Sequence, residues 1–169
     1  MHHRDQRSDH GAAAVEFALV VPIFLLIVFG ILQYGLYFFD SNSVRQGVRE
    51  AARQGVVENF ADSSCTSGGN SQKLTCIANR QIGAVTANTT WVKVTAPSGW
   101  TRGKPLLVCA IVRSQGVVGL LPMPSGGWIH AETQMSIEKQ TSGASWADGT
   151  RSYPTNTALP SGQDWSWCG

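Results

Sequence analysis

The sequence predicts an α+β protein with a single N-terminal transmembrane helix. This helix should extend into an amphipathic helix, followed by a small exported domain with a short antiparallel sheet and disulfides. Three observations predict this fold. Residues 17–39 contain no charged side chain, all four cysteines lie beyond that segment, and strand-like patterns occur only after both the anchor and its extension.

The uncharged segment at residues 17–39 is long enough to cross a bilayer as a helix. At 1.5 Å per residue its 23 residues extend about 34 Å, against a hydrocarbon core of roughly 30 Å. A cleaved secretory signal has an apolar core of only about 7–15 residues and a small-residue cleavage site, which Gln33–Asp40 does not offer. A buried helix of a soluble domain would have a polar face. We therefore expect a retained anchor that begins near Gly11 or Ala12.

Beyond the anchor, the helix is expected to continue as an amphipathic helix. Small apolar residues recur at three- and four-residue spacing from Val44 to Val56, which predicts close packing against a neighbouring helix or the domain. Arg45, Arg49 and Arg53 recur every fourth residue on an adjoining face. A solvated face, with cations favoured near the C-terminus of the helix, explains these arginines equally well.

The remaining elements are predicted from local patterns. Residues 59–72 have the composition of a loop, and a short helix is expected over residues 74–85. Three strands are expected, at residues 89–95, 105–112 and 129–138. The middle strand is continuously apolar, as a buried central strand would be, whereas the other two alternate. From residue 140 the chain shows little regular pattern, and its tryptophans are expected to pack back on the domain.

The four cysteines, Cys65, Cys76, Cys109 and Cys168, all lie on one side of the anchor, as a disulfide framework requires. Three pairings are possible. Cys65 with Cys76 is favoured because a flexible loop separates them, and Cys109 with Cys168 then follows. A zinc site is an alternative, but there is no C-x-x-C pair and His130 is the only histidine beyond the anchor. Reduced, buried cysteines are the other alternative.

Charge excludes some functions and leaves the orientation open. A net charge of +2 with scattered basic residues does not favour nucleic-acid binding. Arginines flank the anchor on both sides, so the orientation rests on the cysteines, which place the C-terminal side outside. We expect a cytoplasmic leader at 1–11 and the transmembrane helix with its extension at 12–57. An extracytoplasmic α+β domain at 58–139 and a tail rich in Ser, Thr, Gly and Trp at 140–169 follow.

No catalytic constellation is visible in the sequence. Motifs for nucleophilic, zinc-dependent or phosphate-binding chemistry are absent, and the carboxylates of the outer part are scattered. His130 falls on the polar face of the third predicted strand with Glu132 and Glu138, which favours a solvated histidine over a catalytic one. We therefore expect no enzymatic activity, no metal and no cofactor.

The N-terminal segment Gly11-Ala-Ala-Ala-Val-Glu16-Phe17, followed by an apolar helix, resembles the processing site of class III signal sequences, as in type IV prepilins. Together with the apolar helix up to Gly30, it is similar to the TadE-like family of tight-adherence pilus proteins. The later segment Ala51-Ala-Arg-Gln-Gly55 is similar to that family's Ala-Ala-Arg-Glu-Gly-Ala-Arg stretch. Here Gln54 replaces the acid and two valines replace Ala-Arg. The resemblance covers residues 11–57.

The resemblance implies that a membrane aspartyl prepilin peptidase cuts between Gly11 and Ala12. Cleavage would create a free amine on Ala12 and make Glu16, which precedes Phe17, the fifth residue of the mature chain. In a helical bundle, the carboxylate of one subunit would then neutralise the new amine of another, since a lone buried charge is strongly disfavoured. Alternatively, Glu16 lies in the headgroup region and interacts favourably with the N-terminus of the helix.

The function implied by the resemblance is that of a pseudopilin or minor pilin in tight-adherence (Flp-type) pilus assembly or secretion. The chain would be a single-pass protein of the bacterial cytoplasmic (inner) membrane, with transfer to a surface pilus. Its partners would be the lipid bilayer, the prepilin peptidase, other pilin or pseudopilin subunits and the assembly platform, with no nucleic acid. The alternative is a membrane-tethered extracytoplasmic binding module that does not enter a filament.

Overall fold

The computed structural model describes residues 7–116, 121–141 and 146–169, with the backbone alone for residues 7–10. The leader up to residue 6 and parts of the turn before the third strand and of the tail lie outside the described residues. The elements in chain order are α1 (Arg7–Val56), α2 (Asn70–Gln81), β1 (Ala87–Thr95), β2 (Pro105–Ser114), a 3-10 turn (Pro124–Gly127), β3 (Trp128–Ser136) and β4 (Gly149–Tyr153).

α1 is a single helix of 50 residues that passes through Pro22 without interruption. It begins at Arg7 and not, as predicted, near Gly11 or Ala12. The three alanines after Gly11 have the highest helix propensity, so the helix extends back through one glycine. The first half of α1 is long and apolar enough to cross a membrane, and little of it is buried. This half fits a membrane-anchored protein.

The second half of α1 forms part of the core of the outer domain. The predicted stripe is confirmed, because Val44, Val48, Ala51, Ala52 and Val56 are each at most 5% exposed. They pack against α2 and against one face of the sheet formed by β2 and β3. Small side chains on this face allow the helix axes to approach closely, which the sequence pattern had indicated.

The four strands form one antiparallel sheet in the order β3-β2-β1-β4. β2 is central, and its residues from Leu106 to Val112 are at most 2% exposed, as its continuously apolar sequence predicted. One face of the sheet packs on α1 and α2, and the other face of β2 is covered by the C-terminal tail. β3 alternates between buried and exposed residues, with Ile129 and Ala131 directed into the core.

The second helix is displaced from its predicted position at residues 74–85. It begins at Asn70, directly after Gly69, and ends at Gln81, with the Ile82 amide bonded to the Ala78 carbonyl at 2.9 Å. The loop before α2 therefore ends at Gly69, and the helix ends just before Gly83. Val85, expected on the apolar face of this helix, is 67% exposed in the following loop.

The tail contains a strand that the sequence did not predict. β4 pairs with β1, placing Ser152 opposite Trp91, and its five residues show no alternation of apolar and polar side chains. The prediction that the tail tryptophans pack back on the domain is confirmed. Trp146 stacks on Trp100 at a centroid distance of 3.9 Å, and Trp165 packs against the apolar cluster that contains Cys168.

Two disulfides staple the outer domain, and they follow the favoured pairing. Cys65 and Cys76 join the loop after α1 to α2, with their Cα atoms 5.6 Å apart. Cys109 and Cys168 have Cα atoms 6.1 Å apart and tie the tail to the outer face of β2. The tail is thereby held over the sheet face that the helices leave uncovered.

Candidate functional site: the N-terminal helix and its junction with the outer domain

The four residues predicted to form the processing segment lie together on the first turns of α1. Gly11, Ala12, Glu16 and Phe17 are all exposed, and a Cβ atom at Gly11 would meet nothing within 4 Å. Ala12 and Glu16 are four residues apart, so they lie on the same face of the helix, one turn from each other. The segment is therefore accessible from all sides in the isolated chain.

The helix above this segment presents a continuous apolar surface. Between Val15 and Ile27, nine large apolar side chains are 41–71% exposed. The ion pairs found within the described ranges are Arg53 with Glu50 and Arg80 with Asp62, and neither includes Glu16. Glu16 is thus a carboxylate next to an apolar surface, and its charge is costly if that surface is in lipid.

α1 closely approaches the outer domain at Gly30. A Cβ atom there would lie 3.0 Å from the Leu121 Cδ1 atom, so glycine lets the loop before β3 approach the helix closely. One turn on, the Gln33 amide donates to the Leu121 carbonyl at 2.7 Å, and the Tyr34 hydroxyl donates to the Pro122 carbonyl at 3.0 Å. Gln33 is 2% exposed, although it lies within the uncharged segment.

Asp40 forms the main polar link between α1 and the sheet. Its side chain is fully buried. The carboxylate accepts hydrogen bonds from the amides of Val85 at 2.8 Å and Thr86 at 3.3 Å. It also accepts from the hydroxyls of Thr86 and Ser114. A buried carboxylate is costly unless donors surround it, and here they come from the loop before β1 and from the end of β2. The arrangement fixes the helix to both central strands.

The three arginines in the second half of α1 lie on its solvent-exposed face. Arg45, Arg49 and Arg53 are exposed, and the Arg53 guanidinium is 2.7 Å from the Glu50 carboxylate. A shallow cavity of about 470 Å³ lies beside them and reaches Gln81 of α2. The arrangement agrees with the solvated face that the sequence left open.

Glu58 follows the end of α1 and ties it to the tail. Its carboxylate accepts hydrogen bonds from the Trp100 indole at 3.0 Å and from the Thr141 amide at 3.0 Å. Burial raises the pKa of Glu58, but the hydrogen bonds from Thr141 and Trp100, together with the charge of Lys139, outweigh this effect. The pKa is therefore held below its usual value.

The outer face of the sheet carries a second cavity, of about 290 Å³, beneath the tail. It is lined by Trp91, Trp165 and Arg151 together with small polar side chains. His130 is exposed nearby, as predicted, with its Nε2 atom 2.8 Å from the Gln163 side-chain oxygen and its ring against Trp167. Within the part of the chain described, no group of three or more His, Cys, Asp or Glu side chains could hold a metal ion.

The junction residues were not predicted as a site. Asp40 is the first charged residue after the uncharged segment, and Gln33 is the one amide within that segment, so both were visible as exceptions. Their partners lie far along the chain, at separations of 45 to 88 residues. Local patterns therefore gave no means of pairing them.

The family model described as TadE-like protein matches residues 11–53. The match includes the processing segment, the apolar half of α1 and the helical residues of the junction, and it agrees with the resemblance seen in the sequence. It indicates a function related to the Tad pilus. No curated protein and no solved structure matches the chain.

Proposed function

We propose, on the premise that residues 11–53 form a TadE-like segment, that the protein is a membrane-anchored pseudopilin or minor pilin of a tight-adherence pilus or secretion machine. The observation that carries this proposal is the division of α1 into two halves. The first half is apolar and exposed, and the second is built into the outer domain. Such a helix can reside in lipid before assembly and pack against the helices of other subunits afterwards.

A prepilin peptidase cleaves between Gly11 and Ala12 in this proposal. Glycine suits this position because an absent side chain lets the backbone enter a narrow protease cleft. Cleavage leaves an ammonium group on Ala12, one helical turn from Glu16. In a bundle of subunits, the Glu16 carboxylate of one chain pairs with the amine of another, which offsets the cost of burying either charge. The pair then sets the axial register between subunits.

The proposed topology is single-pass in the bacterial cytoplasmic membrane, with the N-terminus inside. Two disulfides in the outer domain support this orientation, because disulfides persist in oxidising compartments. The role requires no catalytic turnover. The peptidase, other pilin or pseudopilin subunits and the assembly platform are its partners.

Mass spectrometry of the purified membrane protein tests the processing step. With an active prepilin peptidase, we expect a chain that begins at Ala12, whereas Gly11→Leu should retain the leader. The matched control is Gly35→Leu in the same helix, because a Cβ atom at Gly35 meets nothing within 4 Å. A native chain that still begins at Met1 in the presence of the peptidase would refute processing.

Sheared surface filaments test the role of Glu16. Glu16→Gln should leave cleavage intact but reduce the amount of the chain recovered in filaments, because the carboxylate can no longer neutralise the amine. Glu138→Gln, at an exposed position of the outer domain, is the control and should assemble normally. Equal recovery of both variants would remove the register role.

The cavity beneath the tail favours one alternative, a membrane-tethered binding module that does not enter a filament. Trp91 and Trp165 supply apolar surface there, and Arg151 supplies hydrogen-bond donors, a combination suited to small polar ligands. Fractionation separates the two proposals. The chain should occur in sheared filaments if it is a pilin and remain entirely with the membrane if it is a tethered module.

A further inference from the structure

The loop before β3 lies beside a part of α1 whose other faces remain apolar and exposed. Ile31, Leu32, Phe38 and Phe39 are 51–68% exposed. The loop contacts the opposite face at Gly30, nine residues before Phe39, which corresponds to about 14 Å along the helix axis. If lipid surrounds the helix up to its last exposed apolar residue, the loop lies below the membrane surface.

Consecutive backbone carbonyls of this loop have hydrogen-bond partners within the protein. In lipid, backbone polar groups must find partners within the protein. Pro122 and Pro124 have no amide hydrogen to satisfy. The carbonyl of Leu121 accepts from Gln33, that of Pro122 accepts from Tyr34, and that of Met123 accepts from the Gly126 amide at 3.2 Å. Three consecutive carbonyls therefore have protein donors.

The side chains of the loop have the same character. Leu121, Pro122, Met123 and Pro124 carry no charge, and Pro122 is exposed while the other three are half-buried. We propose that Leu121–Pro124 inserts into the outer leaflet of the bilayer and forms a second membrane contact beside α1. The occupant is lipid because the exposed apolar surface of the anchor extends past the level of the loop as far as Phe39. Gln33 and Tyr34 then serve as internal donors that make the insertion possible. This inference rests on the proposed membrane anchoring.

Fluorescence quenching in vesicles tests the insertion. The full chain carrying Pro122→Cys is labelled with an environment-sensitive fluorophore and reconstituted at low density into phosphatidylcholine vesicles. The quenchers are phospholipids brominated on their acyl chains and iodide in the outer solution. Phe24→Cys, on the exposed apolar half of α1, is the lipid reference. Ser98→Cys is the aqueous reference, because the exposed turn between β1 and β2 lies at the opposite end of the sheet.

We expect the brominated lipid to quench the label at residue 122 at least half as strongly as the label at Phe24. Iodide should quench it several-fold less than the label at Ser98. Met123→Cys keeps both prolines and should give the same ranking, so a disturbed loop in one variant does not decide the result. Retention of both disulfides, measured by mass spectrometry, confirms that each variant has folded.

Three outcomes would overturn the inference, and they differ in whether the membrane anchor and the proposed function are rejected with it. Strong iodide quenching at residues 122 and 123, with normal lipid quenching at Phe24, rejects the insertion and leaves the anchor intact. Protection from iodide without lipid quenching identifies a neighbouring protein chain as the occupant instead of lipid. Absence of lipid quenching at Phe24 rejects the membrane anchor itself, and the proposed function with it.

Discussion

Replacing Asp40 with alanine should loosen the attachment of the outer domain to α1. The substitution removes the acceptor of four hydrogen bonds at a fully buried site. The hydroxyls of Thr86 and Ser114 are 2.6 Å apart and can still bond to each other. The amides of Val85 and Thr86, by contrast, lose their partner.

The expected cost follows from those two amides. A hydrogen bond to a charged group contributes about 1.5–3 kcal/mol. The side chain of Asp40 is fully buried, so loss of its bonds to the two amides in Asp40→Ala should lower the free energy of unfolding by about 3 kcal/mol. For a domain of this size, that corresponds to a fall in Tm of roughly 10–15 °C. Asp40→Asn retains one acceptor oxygen and should cost about 1–2 kcal/mol.

Thermal unfolding of the reconstituted full chain, followed by tryptophan fluorescence, measures this effect. The matched control is Asp148→Ala. Asp148 accepts hydrogen bonds from the Thr95 hydroxyl at 2.7 Å and the Ala96 amide at 3.0 Å, but it is exposed. Water can replace those bonds, so the control should cost less than about 1 kcal/mol. Equal losses of stability in Asp40→Ala and Asp148→Ala would refute the reasoning, because burial would then make no difference.

Three further predictions concern packing, cross-links and pH. Gly47→Ala should destabilise the domain by about 1–3 kcal/mol in denaturant unfolding, because the new Cβ atom would lie 2.4 Å from the Ile82 Cγ1 atom. Gly35→Ala is the control and should not destabilise the domain, because a Cβ atom there meets nothing within 4 Å. Replacing Cys109 and Cys168 with serine should lower the free energy of unfolding by about 4 kcal/mol, and replacing the other cysteine pair should lower it by about 3 kcal/mol. The difference arises because the two disulfides close loops of 59 and 11 residues. Equal shifts in Tm would contradict this ranking. The folded-state pKa of Glu58 is lowered, so its contribution should be present above the unfolded pKa of about 4.3 and lost as the pH falls through the folded value. The Tm advantage over Glu58→Gln should therefore vanish in acid, and a constant difference from neutral to acidic pH would exclude this explanation.

The central elements of this fold could be predicted because each leaves a local pattern. β2 is apolar from Leu106 to Val112 because the helical side covers one face and the tail covers the other. The stripe from Val44 to Val56 shows helical spacing because one face of α1 enters the core. In both cases the buried residues are consecutive or regularly spaced, so the pattern of apolar residues in the sequence indicates which of them are buried.

Other features could not be predicted because their causes are not local. The donors to Asp40 lie 45 and 74 residues further along the chain, so only the folded sheet brings them together. β4 exists because the edge of β1 is available for pairing, and its five residues show no strong preference of their own. The predicted position of α2 was wrong by four residues. The helix begins directly after Gly69, and its start is not determined by its apolar residues.

The uninterrupted course of α1 has a mechanical consequence. From Ala12, the proposed start of the mature chain, to Val56 it forms a rod about 68 Å long, and the helix is unbroken between its membrane-spanning half and the sheet. An axial force or a torque applied to the membrane-spanning half of α1 is therefore transmitted directly to the outer domain. The subunit should therefore move as one rigid body. A displacement of the membrane-spanning half of α1 along its axis should move the outer domain by the same distance.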